Sequence, residues 1–128
     1  MPRFLIDTNI LIDHLRGRPE AHALLAKAVE DGQELWGITV TRTEVLAGMR
    51  ASEEPPTLEL LAQLRWLDVT SGLADEAGML ARRHHRSHPE TETVDYLIAA
   101  ATQALEAELQ TLNVRHFPMF GGLKAPYR

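Results

Sequence analysis

The chain has 128 residues, with 13 Lys plus Arg against 18 Asp plus Glu, and therefore a formal net charge of −5 at pH 7. This length predicts one domain, residues 1–128, and the hydrophobic content of 45% excludes an intrinsically disordered chain. Cysteine is absent, which excludes disulfides, thiol catalysis and thiolate metal sites. No uncharged stretch approaches the roughly 18 apolar residues of a membrane span. We therefore expect a cytoplasmic protein with no membrane partner.

Short apolar runs alternate with helical patterns along the chain. In the first half we predict a strand over residues 3–7, a helix opening at residue 8, a helix with Pro19 in its first turn, a strand over 36–40, a helix capped by Thr41 or Thr43 and a loop over 52–56. In the second half we predict a helix over 58–64, a strand over 66–69, a helix over 73–86, a loop over 87–93, a helix from about residue 95 to 107 and a strand over 109–112. This alternation predicts an α/β fold, a three-layer α/β/α sandwich with a mostly parallel sheet of four or five strands.

Four polar residues stand near the carboxyl ends of these strands. Asp7 follows the first strand, Glu44 lies four residues past the end of the second, and Asn113 ends the fourth. Asp95 opens the last helix. Each has a purely structural explanation as a turn former, a helix cap or a first-turn acid. Because the carboxyl ends of parallel strands share one edge, where such sheets bind ligands, their joint placement predicts a site instead.

Asp95 makes the strongest case for a bound cation. Its helix is apolar nearly all round, so its carboxylate is predicted to be buried and to require a partner. Residues 87–114 contain no Lys or Arg, so we expect a metal ion or a distant arginine to neutralise it. Converging carboxylates repel one another unless a cation lies among them, and Mg²⁺ or Mn²⁺ prefers oxygen ligands of this kind.

Three segments of the chain resemble the PIN-domain ribonucleases, and most closely the VapC-type toxins of type II toxin–antitoxin systems. They are FLIDTNILIDHL, TVTRTEVLAG, and DYLIAAATQ followed by LNVRHF. The resemblance covers essentially the whole chain, in order and at customary spacings. It implies a parallel sheet flanked by helices, an acidic site for Mg²⁺ or Mn²⁺, and hydrolysis of RNA phosphodiester bonds. It also implies a homodimer and a VapB-type antitoxin that inhibits the enzyme at a groove framed by the early helices and the proline-containing loop.

The resemblance also implies roles for individual residues. Asp7, Glu44 and Asp95 match the three family acids, and Thr8 matches the hydroxyl residue that binds a metal-bound water or a phosphate. Asn113 matches a fourth position that is often aspartate. Because asparagine carries no charge, a second metal would be held more weakly than the first. With a single metal, Asp95 or Glu44 would orient or deprotonate the attacking water.

Further polar residues receive weaker assignments. Glu92, one helical turn before the third acid, is expected to support the site, the alternative being a loop acid in solvent. A basic cluster is expected to contact RNA phosphates or an acidic partner, or else to stabilise the carboxyl end of its helix, through Arg82, Arg83 and Arg86. His116 and Phe117 are expected to provide polar support and packing rather than catalysis.

Two other functions stay open from the sequence. One is a PIN-like module that binds RNA or a protein without catalysis, and the other is a structure-specific DNA nuclease. A phosphoacceptor receiver domain would need a lysine at a particular position late in the chain. The only lysines, Lys27 and Lys124, do not lie at that position. A phosphatase of the haloacid-dehalogenase type would need a second aspartate where Asn9 stands.

Overall fold

A computed structural model describes residues 2–128 and contains a four-stranded parallel sheet with helices on both faces. The strands are β1 (Arg3–Ile6), β2 (Glu34–Ile38), β3 (Arg65–Leu67) and β4 (Glu108–Gln110), in the spatial order β3-β2-β1-β4. The helices are α1 (Thr8–Leu15), α2 (Pro19–Glu30), α3 (Thr39–Gly48), α4 (Glu54–Ala62), α5 (Ser71–His84) and α6 (Thr93–Leu105). Two short 3₁₀ turns span Ala51–Glu53 and Val114–His116.

The core is divided between the two faces of the sheet. Successive residues of β1 point in opposite directions, so Leu5 packs with α5 and α6 whereas Ile6 packs with α1, α2 and α4. Both side chains are 1% exposed. Burial on both faces explains the continuous apolar run at residues 4–6 of β1, and the helices on both faces confirm the three-layer α/β/α prediction with four strands.

The second strand and the helix after it differ from the sequence prediction. The strand ends at Ile38 rather than residue 40, and α3 begins at Thr39, whose hydroxyl accepts a hydrogen bond from the Val69 N–H (3.3 Å). Neither predicted cap is used, because Ile38 occupies the cap position and Thr41 is buried inside the helix. Glu44 therefore lies six residues beyond the strand, in the second helical turn instead of the first.

Residues 52–56 are not the predicted loop. They belong to the Ala51–Glu53 turn and to the start of α4, where Pro55 and Pro56 occupy first-turn positions that need no backbone N–H donor. The last helix begins at Thr93, so Asp95 is its third residue rather than its first. The last strand ends at Gln110, two residues earlier than predicted, and releases Thr111 from the sheet.

The longest helix of residues 2–128 is α5, with 14 residues. No helix in this part of the chain has both the length and the apolar composition needed to cross a bilayer.

We predict that Gly37→Ala destabilises the sheet. A Cβ on Gly37 would lie 2.6 Å from Cζ3 of Trp66, whose indole N–H is held by the Leu61 carbonyl at 2.9 Å. Overpacking of this kind costs about 1–3 kcal/mol of unfolding free energy, measurable by urea denaturation. Gly78→Ala is the matched control, because its Cβ would meet open space within α5 and is expected to stabilise by about 0.5–1 kcal/mol. Equal stability of Gly37→Ala and the wild type would contradict the prediction.

Candidate active site

Asp7 lies where β1 ends and α1 begins. Its backbone N–H donates to the Gln110 carbonyl at 3.0 Å, which continues the pairing of β1 with β4. Its carboxylate caps α1 by accepting the Thr8 N–H at 2.8 Å. The residue is 5% exposed, so the carboxylate is buried against the positive end of a helix.

Thr111 provides the main side-chain contact to this carboxylate. Its hydroxyl donates to Asp7 Oδ2 at 2.7 Å and accepts the Asn113 N–H at 3.0 Å. Asn9 Nδ2 lies 3.4 Å from the same carboxylate oxygen. The sequence prediction missed Thr111 because it extended the fourth strand to residue 112. The signal was a hydroxyl residue two positions before Asn113, which a strand drawn through residue 112 places inside the sheet.

Glu44 reaches the site from the second turn of α3. Its Oε1 accepts the Thr8 hydroxyl at 2.7 Å, and Thr8 Oγ1 lies 3.4 Å from Thr41 Oγ1. Thr8 is thus engaged by a neighbouring acid, whereas the resemblance implied a contact with water or phosphate. Glu44 is exposed, whereas the other two acids of the site are buried.

Asp95 enters from the first turn of α6 and is 8% exposed. Its Oδ2 accepts the Glu92 N–H at 2.9 Å and lies 3.1 Å from His116 Nδ1. His116 therefore provides a side-chain partner that the sequence did not assign to this carboxylate, and its neutralisation by a metal ion or a distant arginine stays a prediction. Glu92 supports Asp95 through its backbone N–H, while its side chain is exposed.

The three acids influence one another electrostatically. Burial raises the pKa of Asp7 above its usual value, and the hydrogen bonds from Thr111 and Thr8 offset part of this rise. The negative charges of Asp95 and Glu44 raise the pKa of Asp7 further. The carboxylate of Asp7, just after β1, is therefore repelled by carboxylates on α3 and α6, and this repulsion favours a bound cation.

The donors suit a hydrated hard ion rather than a closed cage. Within residues 2–128, no three His, Asp or Glu side chains are arranged as a ready-made metal cluster. Mg²⁺ is typically bound through one or two carboxylates and keeps several waters, which the oxygen donors of Asp7 and Asp95 fit. Asn113 is exposed and contributes an uncharged amide.

In the part of the chain that the structure describes, no hydrogen bond joins the three acids to the residues of the basic cluster. Their side chains are exposed at the carboxyl end of α5 and just beyond it, at Arg82, Arg83 and Arg86. Positive charges at the carboxyl end of a helix interact favourably with the helix dipole. Because these side chains are exposed, they are also accessible to an anionic partner, so a structural role and a binding role both stay open.

Comparisons with known proteins find similar sequences and folds over nearly the whole chain. The family model described as PIN domain matches residues 4–118. Ribonuclease VapC19 of Mycobacterium tuberculosis is 46% identical over 96% of this chain and 98% of its own length, and Ribonuclease VapC10 of the same organism is 42% identical over 96% and 92%. A toxin–antitoxin complex from Klebsiella pneumoniae superposes with a TM-score of 0.74 at 26% identity, covering 96% of this chain and 97% of that one. VapBC2 from Rickettsia felis, bound to a promoter DNA fragment, superposes at 0.75 with 18% identity over 96% of each chain and shares the fold.

We predict that Asp7→Asn stabilises the metal-free protein. The raised pKa means that the unfolded chain releases this proton at a lower pH than the folded chain does, so unfolding free energy falls as pH rises from about 4 to the raised pKa. Asparagine keeps the cap of α1 and removes the charge, so a gain on the order of 1 kcal/mol is expected at pH 7.

Thermal unfolding in EDTA between pH 4 and 8 tests this prediction. The gap between Asp7→Asn and the wild type should widen with pH and then level off. Asp75→Asn, an exposed acid on α5, is the control and should leave stability unchanged. A gap that narrows with rising pH would show that Asp7 is stabilising when ionised.

Proposed function

Because the chain belongs to the PIN-domain family, we propose that it is a Mg²⁺- or Mn²⁺-dependent ribonuclease and the toxin of a type II toxin–antitoxin pair. The observation that carries the proposal is the convergence of Asp7, Glu44 and Asp95 from three separate elements, where the pKa of Asp7 is raised first by burial and further by the other two charges. Near-full-length identity of 46% to a VapC ribonuclease supports the choice of RNA as substrate. A cytoplasmic location and one PIN domain over residues 1–128 belong to the same proposal.

The catalytic roles follow from burial and hydrogen bonding. Asp7 and Asp95 are buried carboxylates that would bind the cation, whose chemistry is Lewis-acid stabilisation of the phosphodiester oxygens. Glu44 is exposed and has one oxygen held by Thr8, so it is assigned to orient the attacking water and accept its proton. The amide of Asn113 offers an oxygen without charge, which favours one tightly held ion over two.

We predict metal-dependent RNA cleavage that requires the two buried acids. Purified protein freed of antitoxin should cut structured RNA in Mg²⁺ or Mn²⁺ and stop when EDTA is added. Asp7→Asn and Asp95→Asn should reduce the cleavage rate beyond detection, and Glu44→Gln should reduce it by about 10²-fold, as expected for loss of a general base. Asp75→Asn should cleave like the wild type.

The alternative functions give different results in the same assay. A wild-type protein that binds RNA without cutting it would indicate a non-catalytic module. Faster cleavage of flapped DNA than of RNA would indicate a structure-specific DNA nuclease. Undiminished cleavage by Asp7→Asn would place catalysis elsewhere in the chain.

The proposed partners are RNA, a VapB-type antitoxin and a second copy of the chain. RNA phosphates are assigned to the exposed Arg82, Arg83 and Arg86. The antitoxin is assigned to a groove between α1, α3 and the start of α4, which lies in the region of the early helices and the prolines. Its apolar lining comes from four residues, Ile12, Leu15, Val45 and Met49. Solved structures with the same fold include toxin–antitoxin complexes, which supports this assignment.

We predict that Met49→Glu weakens inhibition by the antitoxin. The antitoxin is sought in a short reading frame next to the gene and co-expressed with the toxin. A charge in the groove should lower antitoxin affinity at least about tenfold, the size of a 1.4 kcal/mol loss, while RNA cleavage by the free protein persists. Met79→Glu, at a half-exposed position on α5, is the control. Equal inhibition of both variants would indicate that the antitoxin binds another surface.

A further inference from the structure

One short turn contacts both buried acids. This turn is formed by residues 111–116, which follow β4 and include the 3₁₀ turn Val114–His116. Thr111 at its start donates to Asp7, and His116 at its end lies 3.1 Å from Asp95 Oδ2. Two acids that are far apart in sequence are thereby held by one continuous piece of chain.

The backbone of His116 is held by hydrogen bonds on both sides and by the packing of the next residue. The His116 N–H donates to the Asn113 carbonyl at 2.9 Å, which closes the turn. The His116 carbonyl accepts the Thr91 hydroxyl at 3.0 Å. The next residue, Phe117, is 1% exposed and packs in the core between the sheet, α5 and α6. These contacts therefore fix the backbone from which the imidazole reaches Asp95.

The hydrogen bonds to Asp95 are directed at one oxygen. Both the Glu92 N–H and His116 Nδ1 bind Oδ2. An ionised carboxylate only accepts hydrogen bonds, so Nδ1 carries the proton and donates in this contact. Two donors on Oδ2 fix the rotation of the carboxylate and turn Oδ1 away from them.

We propose that His116 is a positioning residue that orients Asp95 for metal binding. It holds Oδ2 from Nδ1, so that Oδ1 is presented to the divalent cation. The inference rests on the proposed metal-dependent function, but it adds a residue outside the acidic set. Groups that orient metal ligands in this way contribute about 10- to 100-fold to metal affinity.

The test compares His116→Leu, His116→Ala and His116→Asn with the wild type. Leucine and alanine remove the N–H donor with different changes of volume, whereas the asparagine amide places an N–H close to the position of Nδ1. His22→Asn, on the exposed side of α2, is the matched control. Mn²⁺ affinity is measured by electron paramagnetic resonance without RNA, and RNA cleavage is measured across a Mn²⁺ titration.

The leucine and alanine variants should bind Mn²⁺ about 10- to 100-fold more weakly, and cleavage should recover at saturating Mn²⁺. His116→Asn and the control should stay within about threefold of the wild type, a difference below 1 kcal/mol. Wild-type affinity in a folded leucine or alanine variant would overturn the inference. If neither variant folds, a tenfold loss of affinity in His116→Asn would also overturn it. Failure of the wild type to bind Mn²⁺ at all would instead overturn the proposed function, and the inference with it.

Discussion

The structure depends on keeping an ionised carboxylate buried at the end of an interior strand. β1 lies between β2 and β4, and Asp7 follows it directly at a position that is 5% exposed. An unpaired buried charge is costly, and nearby Asp95 and Glu44 add to the cost. The fold meets this cost with two oriented donors: the Thr8 N–H at the N-terminus of α1, and the Thr111 hydroxyl.

The choice of donors leaves room for a cation. In the hydrogen bonds described for residues 2–128, Asp7 is held by Thr8, Asn9 and Thr111, none of which carries a positive charge. An arginine or lysine in this place would neutralise the site and block a metal ion. Neutral donors orient the Asp7 carboxylate without cancelling its charge. The net charge of −5 describes the whole surface, whereas the proposed site would bind a phosphate anion locally, through a cation held among acids.

The fold class and the three acids could be predicted because they depend on local patterns. Asp7 directly follows an apolar run, and the motif around Asp95 is continuous in sequence. Thr111 was missed because the end of β4 is set by its register with β1, in which Ile6 pairs with Gln110. The contact between His116 and Asp95 joins residues 21 apart and depends on the turn after β4, so the sequence predicted polar support without identifying the acid. The catalytic and metal-binding roles of these residues stay predictions.

Asn113 fits this electrostatic account. Its backbone N–H bonds to the Thr111 hydroxyl, so residue 113 adjoins the same network that holds Asp7. The pKa of Asp7 is already raised by burial and by two other carboxylates, and a fourth acid here would add repulsion to the metal-free protein. A neutral amide avoids that repulsion, but it also removes a charged ligand for a second cation. An acid at position 113 would bind a second cation more tightly but would destabilise the metal-free protein. Asparagine therefore favours stability without metal over tight binding of two metals.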